Sequence, residues 1–176
     1  PFLQGTYAPV SDEIDVATFA VSGELPRALN GCFLRNGPNP AFTPLPPYRW
    51  FGGDGMVHGI WLADGKAHRY RNRWVRTFGL GLERRAGRAL FPSLGVPREP
   101  IPEALARGEM VKNIANTHIV RHAGKLLALC ESGEPYELDE ELGTVGAYRF
   151  DHALQGPMTA HPKILPASGE MHAFGY

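Results

Sequence analysis

The sequence predicts an all-β fold that is assembled from short antiparallel hairpins. Three pairs of strand-like runs are each joined by a tight turn that contains glycine, and no stretch shows a long helical period. The 21 glycines and 16 prolines among the 176 residues exceed the usual share, as expected of many turns between short strands. Hairpins of this size and spacing fit a propeller, a sandwich or a barrel.

Three hairpins and two further strands make up the predicted sheets. Each hairpin turn has glycine at its second position, where positive φ is favoured. The hairpins are residues 57–62 with 67–74 around Asp64-Gly65, residues 119–122 with 126–130 around Ala123-Gly124, and residues 158–165 with 171–176 around Ser168-Gly169. Residues 137–139 and 145–150 supply the two further strands.

Two segments break this strand pattern. Residues 36–48 contain five prolines, which exclude a central strand and a helix, so we expect a rigid irregular loop. The sequence RNGPNP at residues 35–40 is typical of a locked turn at a strand end. Residues 79–108 mix Gly, Arg and Pro with scattered Leu and Phe, which predicts a long excursion with a short helix at residues 102–107.

Composition and charge exclude several classes of function. The 18 Lys and Arg balance the 18 Asp and Glu, so there is no basic excess with which to bind nucleic acid. No apolar run approaches the ~18 residues that a membrane span needs. Cys32 and Cys130 are too few for a disulfide framework.

The length favours a fragment if the fold is a propeller. Propeller blades take ~40–50 residues, so the chain would make about four blades, a poor count for a closed ring. The chain also begins at Pro1 without Met and ends directly after a strand-like run. We therefore expect a piece of a longer domain.

Histidine spacing and glycine-rich segments give no complete site. None of the seven histidines has the spacing of a helical zinc site, and His118 and His122 lie ~13 Å apart if both belong to one strand. Residues 51–58, FGGDGMVH, lack the phosphate-loop pattern and lead into a strand. These features alone predict structural roles.

Glu131 and His161 are the two side chains that local context singles out. Glu131 follows an apolar strand, where a half-buried carboxylate needs a partner. His161 precedes Pro162, which restricts the His161 backbone to extended values. A histidine at a strand end on a stiff backbone suits a metal site, because ligands must be held within ~0.5 Å. From the residues alone, a structural role for His161 stays open as well.

Taken in order, the motifs of the chain resemble those of the carotenoid cleavage oxygenase family. The match covers nearly the whole chain and corresponds to the first third of such an enzyme. The matching segments are PFLQG (1–5), YAPV (7–10), RNGPNP (35–40), WF (50–51), GDGMVH (53–58), YRNRWVRT (70–77), ANT (115–117), AGKLLAL (123–129), Glu131, PYELD (135–139), TVG (144–146), TAHPK (159–163) and GE (169–170).

The resemblance implies a seven-bladed β-propeller with long loops that cap one face, of which residues 1–176 are the N-terminal part. It implies a non-haem Fe(II) on the propeller axis, held by four histidines from different blades. His161 corresponds to the first of these ligands, and Glu131 to the first of three glutamates that orient the other imidazoles. We therefore expect Glu131 near the axis but not in contact with His161. The other ligands belong to later blades, so this piece alone should not hold iron firmly.

The implied reaction is cleavage of one double bond of a carotenoid or apocarotenoid by O2, with two carbonyl products. Neutral imidazoles suit Fe(II) and leave coordination positions open for O2. The protein would position one bond of the apolar polyene at the metal in a dry tunnel. The expected partners are thus O2 and an apolar polyene.

Two departures from the family pattern bear on this interpretation. Cys130 stands where lignostilbene-cleaving relatives carry a lysine that contacts the substrate phenol, which favours a carotenoid. His118 stands where the family most often has asparagine, which changes a strand contact but no metal ligand. A lignostilbene-type dioxygenase stays an alternative, as does a β-propeller that binds without catalysis. Four lysines against 14 arginines suggest a bacterial gene, which disfavours the mostly animal retinoid isomerases.

The resemblance also leads to an expectation about location. We expect a cytoplasmic protein that touches a membrane peripherally through residues 79–108, since carotenoids reside in bilayers. In this excursion Leu and Phe alternate with Arg84, Arg85 and Arg88, a composition that suits an interface. A membrane-associated lipid binder is accordingly a third interpretation.

Overall fold

The computed structural model describes residues 2–93, 96, 99–109, 111–131 and 133–175. Within them the chain forms ten strands and two α-helices, so the prediction of a mostly β chain is confirmed. The strands are β1 (Asp15–Val16), β2 (Gly31–Pro38), β3 (Gly55–Ala63), β4 (Lys66–Trp74), β5 (His118–His122), β6 (Lys125–Leu129), β7 (Tyr136–Leu138), β8 (Thr144–Ala147), β9 (Lys163–Ile164) and β10 (Met171–His172). The helices are α1 (Phe78–Ala86) and α2 (Pro102–Ala106), with 3-10 turns at Gly5–Tyr7 and Trp50–Gly52.

Parts of three sequence predictions fall outside the described residues. They concern Pro1 of the first motif, Leu94, Gly95, Pro97 and Arg98 of the 79–108 excursion, and Tyr176 at the end of the third hairpin.

The first antiparallel sheet has the strand order β1-β4-β3-β2. Its central pair, β3 and β4, is the first predicted hairpin, and the prediction is confirmed. The turn residues Asp64 and Gly65 have φ values of 51° and 74°, both positive as a type I′ turn requires. Along its whole length β2 pairs with β3, from Gly31 opposite Leu62 to Pro38 opposite Gly55.

The second antiparallel sheet runs in chain order, β5-β6-β7-β8. It contains the second predicted hairpin, whose turn residues Ala123 and Gly124 again have positive φ values of 47° and 78°. The side chains of β6 alternate between two cores because successive residues of a strand point to opposite faces. Leu126 and Ala128 pack with the first sheet, whereas Leu127 and Leu129 pack with the segment that leads into β9.

The third hairpin is much shorter than predicted. The sequence predicts strands over residues 158–165 and 171–176, but only Lys163–Ile164 and Met171–His172 pair. Ile164 and Phe174 are exposed, so little apolar surface supports a longer ribbon. A two-stranded ribbon without a third strand is marginal, which explains the early end of pairing.

The proline-rich segment enters the first sheet further than predicted. The sequence predicts an irregular loop from residue 36, whereas strand β2 continues through Pro38. Since β2 is an edge strand, Pro38 can sit at its end with no ladder hydrogen bond lost to a further neighbour.

Helix α1 occupies a part of the 79–108 excursion that the sequence predicts as irregular. Thr77 caps its first turn by accepting a hydrogen bond from the amide of Leu80, and Gly87 ends it in the left-handed conformation. Leu80 and Leu82 are buried. Because the helix also contains two glycines and two consecutive arginines, its sequence does not show a clear apolar face. The short helix predicted at residues 102–107 is confirmed as α2.

The two four-stranded sheets stack face to face, and a third unit begins behind the second. The shared core joins Val57 and Val75 of the first unit to Leu126 and Leu138 of the second. Serial four-stranded antiparallel sheets of this kind are successive blades of a β-propeller. The prediction of early propeller blades is therefore confirmed.

The seam between the two blades is held by hydrogen bonds from side-chain amides to backbone. Asn36 Nδ2 on β2 donates to the carbonyls of Ala115 and His118, at 2.8 and 3.1 Å. Asn116 Nδ2 donates in the reverse direction, to the carbonyl of Gly53 at 2.7 Å. The amide of Gly55 donates to the carbonyl of Ile114 at 2.7 Å, so backbone also crosses the seam.

A buried cluster of charges fixes helix α1 to the first sheet. Lys112 Nζ contacts the carboxylates of both Asp54 and Glu83, and all three side chains are at most 9% exposed. Glu83 Oε1 also accepts hydrogen bonds from the amides of Leu90 and Phe91. Ion pairs removed from water are favourable only with such full pairing, so each member depends on the others.

Within the described residues no helix is long and apolar enough to cross a bilayer.

Replacing Lys112 by Met should strongly destabilise the full-length protein. Two carboxylates would be left buried without their cation, which costs about 3–5 kcal/mol of the free energy of unfolding. Arg121→Met is the control, because Arg121 and Glu140 form an exposed pair that contributes less than about 1 kcal/mol. Chemical denaturation of both variants measures the difference. Equal losses would show that the Lys112 cluster does not anchor α1.

Replacing Gly55 by Ala should open the seam. A Cβ at this position would overlap the carbonyl oxygen of Ala115, and the strand cannot move away without breaking the Gly55 hydrogen bond. Overpacking of this kind costs about 1–3 kcal/mol. Gly156→Ala is the matched control, since a Cβ there meets open space. If the two variants melt at the same temperature, the seam is looser than described.

Candidate metal centre

His161 projects from a backbone segment that is fixed on both sides. It lies two residues before β9, between the fully buried Ala160 and the buried Pro162. Its own amide donates to Thr159 Oγ1 at 3.2 Å, and the amide of Thr159 donates to the carbonyl of Phe174 at 2.7 Å. The imidazole itself is 63% exposed. A rigid backbone therefore presents an accessible ring, as a metal ligand requires.

Glu131 lies against His161. The distance between Glu131 Oε1 and His161 Nε2 is 3.4 Å, and Thr159 Oγ1 donates to the same carboxylate oxygen at 3.4 Å. The prediction that Glu131 would not contact His161 is thus wrong. The reason is the bridge between Gly133 and Met158, which pairs the start of the third unit with the connection between β6 and β7 and so brings both side chains together.

His118 is the residue of this site that sequence reasoning did not assign to it. Its Nδ1 lies 2.8 Å from the carbonyl oxygen of Ala160, and its ring centroid lies 6.1 Å from that of His161 at an interplanar angle of 26°. His118 opens β5 opposite Leu129 of β6, two residues before Glu131. The predicted hairpin was the available signal. In an antiparallel hairpin the first residue of one strand lies opposite the last residue of the other, so His118 and Glu131 are expected at the same end.

The residues at this position fit part of an iron site. An exposed neutral imidazole is a suitable ligand for Fe(II). Nε2 of His161 has one lone pair or one proton, so it can hold a metal or donate to Glu131, but not both. Across the described part of the chain, no group of three or more His, Cys, Asp or Glu side chains could hold a metal. At this position the described residues thus offer the exposed imidazole of His161 and a neighbouring carboxylate, Glu131, while Nδ1 of the adjacent His118 contacts the carbonyl of Ala160.

A cleft of about 740 Å³ opens beside Glu131. One wall carries Arg107 and Arg149, which pair with Glu109 and Glu134. Burial raises the pKa of the Glu109 carboxyl, and its pairing with Arg107 offsets this only in part. The cleft thus has a charged boundary on the wall that carries Arg107 and Arg149.

Comparison with protein families gives one match over most of the chain. Residues 7–176 match the family described as Retinal pigment epithelial membrane protein. The chain is 46% identical over 178 residues to a carotenoid cleavage oxygenase of Mycobacterium tuberculosis, which covers 100% of this chain and 33% of that protein.

Two solved structures resemble the fold. The lignostilbene dioxygenase of Pseudomonas brassicacearum superposes with a TM-score of 0.84 at 33% identity, over 100% of this chain and 36% of that one. A variant of the Synechocystis apocarotenoid oxygenase superposes with a TM-score of 0.76 at 31% identity, over 90% of this chain and 34% of that one. The chain therefore spans about a third of the length of the relatives that it matches.

Proposed function

Since this chain belongs to the carotenoid cleavage oxygenase family, we propose that the full-length protein is a non-haem Fe(II) dioxygenase that cleaves a double bond of a carotenoid or apocarotenoid. Both atoms of O2 would be added across one C=C bond, which breaks to give two carbonyl groups. The observation that carries the proposal is the convergence of His161 and Glu131 at one end of the blades. The 46% sequence identity to a carotenoid cleavage oxygenase, over 100% of this chain, supports the proposal.

In this proposal His161 is the residue of the chain that would hold the iron. Bound Fe(II) supplies activation of O2, which protein side chains alone do not provide. The chain contributes the placement of His161: Thr159 and Pro162 limit its backbone, and the Glu131 carboxylate lies beside the ring. If Nε2 of His161 held the metal, it could not also donate to Glu131, and the Glu131 carboxylate would then face another group at the site.

A stilbene-type dioxygenase is the second candidate function. The high structural similarity to a lignostilbene dioxygenase favours it. Against it, Cys130 occupies the position where the stilbene-cleaving relatives carry a phenol-binding lysine. The Cys130 thiol is buried and donates to Asn113 Oδ1 at 3.1 Å, so this position offers no cation to a phenolate. A carotenoid or apocarotenoid therefore fits better.

The third candidate is a propeller that binds a ligand without catalysis. Iron content distinguishes it from the two dioxygenase candidates. The full-length protein would be loaded with Fe(II) without oxygen and its metal content measured. Stoichiometric iron supports the oxygenase, and an iron content near zero contradicts it.

The proposal also includes a cytoplasmic location with peripheral contact to a membrane. Both cysteines are free thiols, which suits a reducing compartment. Of the 79–108 excursion, Leu80 and Leu82 are buried whereas Leu105 is exposed. A membrane contact would accordingly use the surface around α2 and not the apolar face of α1.

Replacing His161 by Ala should remove iron and activity. Loss of a ligand should weaken iron binding by at least the ~100-fold that outer groups contribute at other metal sites. Metal content and turnover of the full-length variant measure the effect. His68→Ala is the control, since His68 is on β4 of the first sheet, where its Nε2 contacts the carbonyl of Ala63. Retained iron and turnover in His161→Ala would show that the assignment of this ligand is wrong.

Replacing Glu131 by Gln should leave the fold and the bound iron in place but lower turnover by ~10–100-fold. The amide keeps the size of the side chain and loses its charge, which is what orients a neighbouring imidazole. Glu140→Gln, at an exposed pair with Arg121, is the matched control. Wild-type turnover with unchanged iron would mean that Glu131 only ends a strand.

A further inference from the structure

We propose that His118 is a positioning residue that fixes the His161 ligand through the carbonyl of Ala160. The inference rests on the proposed function, because it assigns a role toward iron. His118 Nδ1 lies 2.8 Å from the Ala160 oxygen, and Ala160 is fully buried. A carbonyl oxygen only accepts hydrogen bonds, so Nδ1 carries the proton and donates.

The hydrogen bond acts on the peptide unit that carries His161. This unit is planar, so fixing its oxygen and its N–H fixes the direction in which the His161 Cα is presented. His118 holds the oxygen, and Thr159 Oγ1 accepts from the N–H of His161 at 3.2 Å. Pro162 restricts the remaining backbone angle. Three neighbours thus place an exposed ring that would otherwise have wide freedom.

The first seam of the structure shows the same contact made by a different residue. Asn36 on β2 donates its amide to the carbonyl of Ala115 at 2.8 Å, from an edge strand of one blade to the next unit. His118 on β5 makes the equivalent contact from the second blade to the third unit. An asparagine at position 118 could therefore keep the donor, because its Nδ2 lies about as far from the backbone as Nδ1 of histidine.

The imidazole adds a contact that an amide lacks. The rings of His118 and His161 lie nearly parallel, with their centroids 6.1 Å apart. The His118 ring thus borders one side of the His161 ring. The hydrogen bond and the ring contact are separable by substitution, and the proposal assigns the positioning to the hydrogen bond.

The test measures Fe(II) affinity of the full-length protein by competition with a chelator, together with the spectrum of its nitric oxide adduct. His118→Leu and His118→Ala remove the donor, so the comparison uses whichever of them folds. In these variants we expect iron affinity to fall by ~10–100-fold and the spectral lines of the nitric oxide adduct to broaden. His118→Asn should restore both toward the wild type.

The matched control is His122→Leu. His122 lies on the same strand, and its Nε2 contacts the carbonyl of Gly169 at 3.1 Å, away from the His161 peptide. The His122→Leu variant should bind iron with the affinity of the wild type. The proposal is overturned if His118→Leu or His118→Ala binds iron normally, if His118→Asn fails to restore affinity, or if His122→Leu weakens iron equally. A wild-type protein that binds no iron would instead overturn the proposed function, and this inference with it.

Discussion

The segment of residues 113–116 must satisfy its buried backbone groups outside any strand ladder, and this constraint organises the molecule. A buried carbonyl or amide left unpaired is costly, so such groups find partners. Here two of the partners come from the first blade: Asn36 donates to the carbonyl of Ala115, and the amide of Gly55 donates to the carbonyl of Ile114. Asn116 returns a hydrogen bond to the carbonyl of Gly53. The entry of β5 is thereby fixed against β3.

Two sets of contacts connect the fixed start of β5 to the candidate metal centre. The pairing of β5 with β6 sets His118 opposite Leu129, the last residue of β6, two residues before Glu131. The alternation of β6 side chains then packs Leu127 and Leu129 against Ala160, which brings the third unit to the same edge. His161 is thus positioned by core packing and by polar contacts together. These buried contacts fix the backbone that carries the exposed ring.

Local signals in the sequence were sufficient for the hairpins and insufficient for contacts between units. Asp64-Gly65 predicts its turn because the conformational requirement lies within two residues. The sequence does not predict helix α1, because its stability comes from the burial of Leu80 and Leu82 and from the pairing of Glu83 with Lys112, which depend on residues outside the helix. Glu131 and His161 lie 30 positions apart, and their contact depends on the bridge between Gly133 and Met158, which no local signal shows, so the sequence indicates both residues but not their contact. The ligand role of His161 came from resemblance, since its spacing alone left a structural role open.

We propose that His161, held by the seam between the second and third units, is an iron ligand. Anomalous diffraction at the iron edge from crystals of the full-length protein tests this role most directly. We expect an iron peak bonded to Nε2 of His161, with the Glu131 carboxylate no longer in contact with that nitrogen. An iron-loaded crystal whose peak lies elsewhere, with His161 still against Glu131, would contradict it.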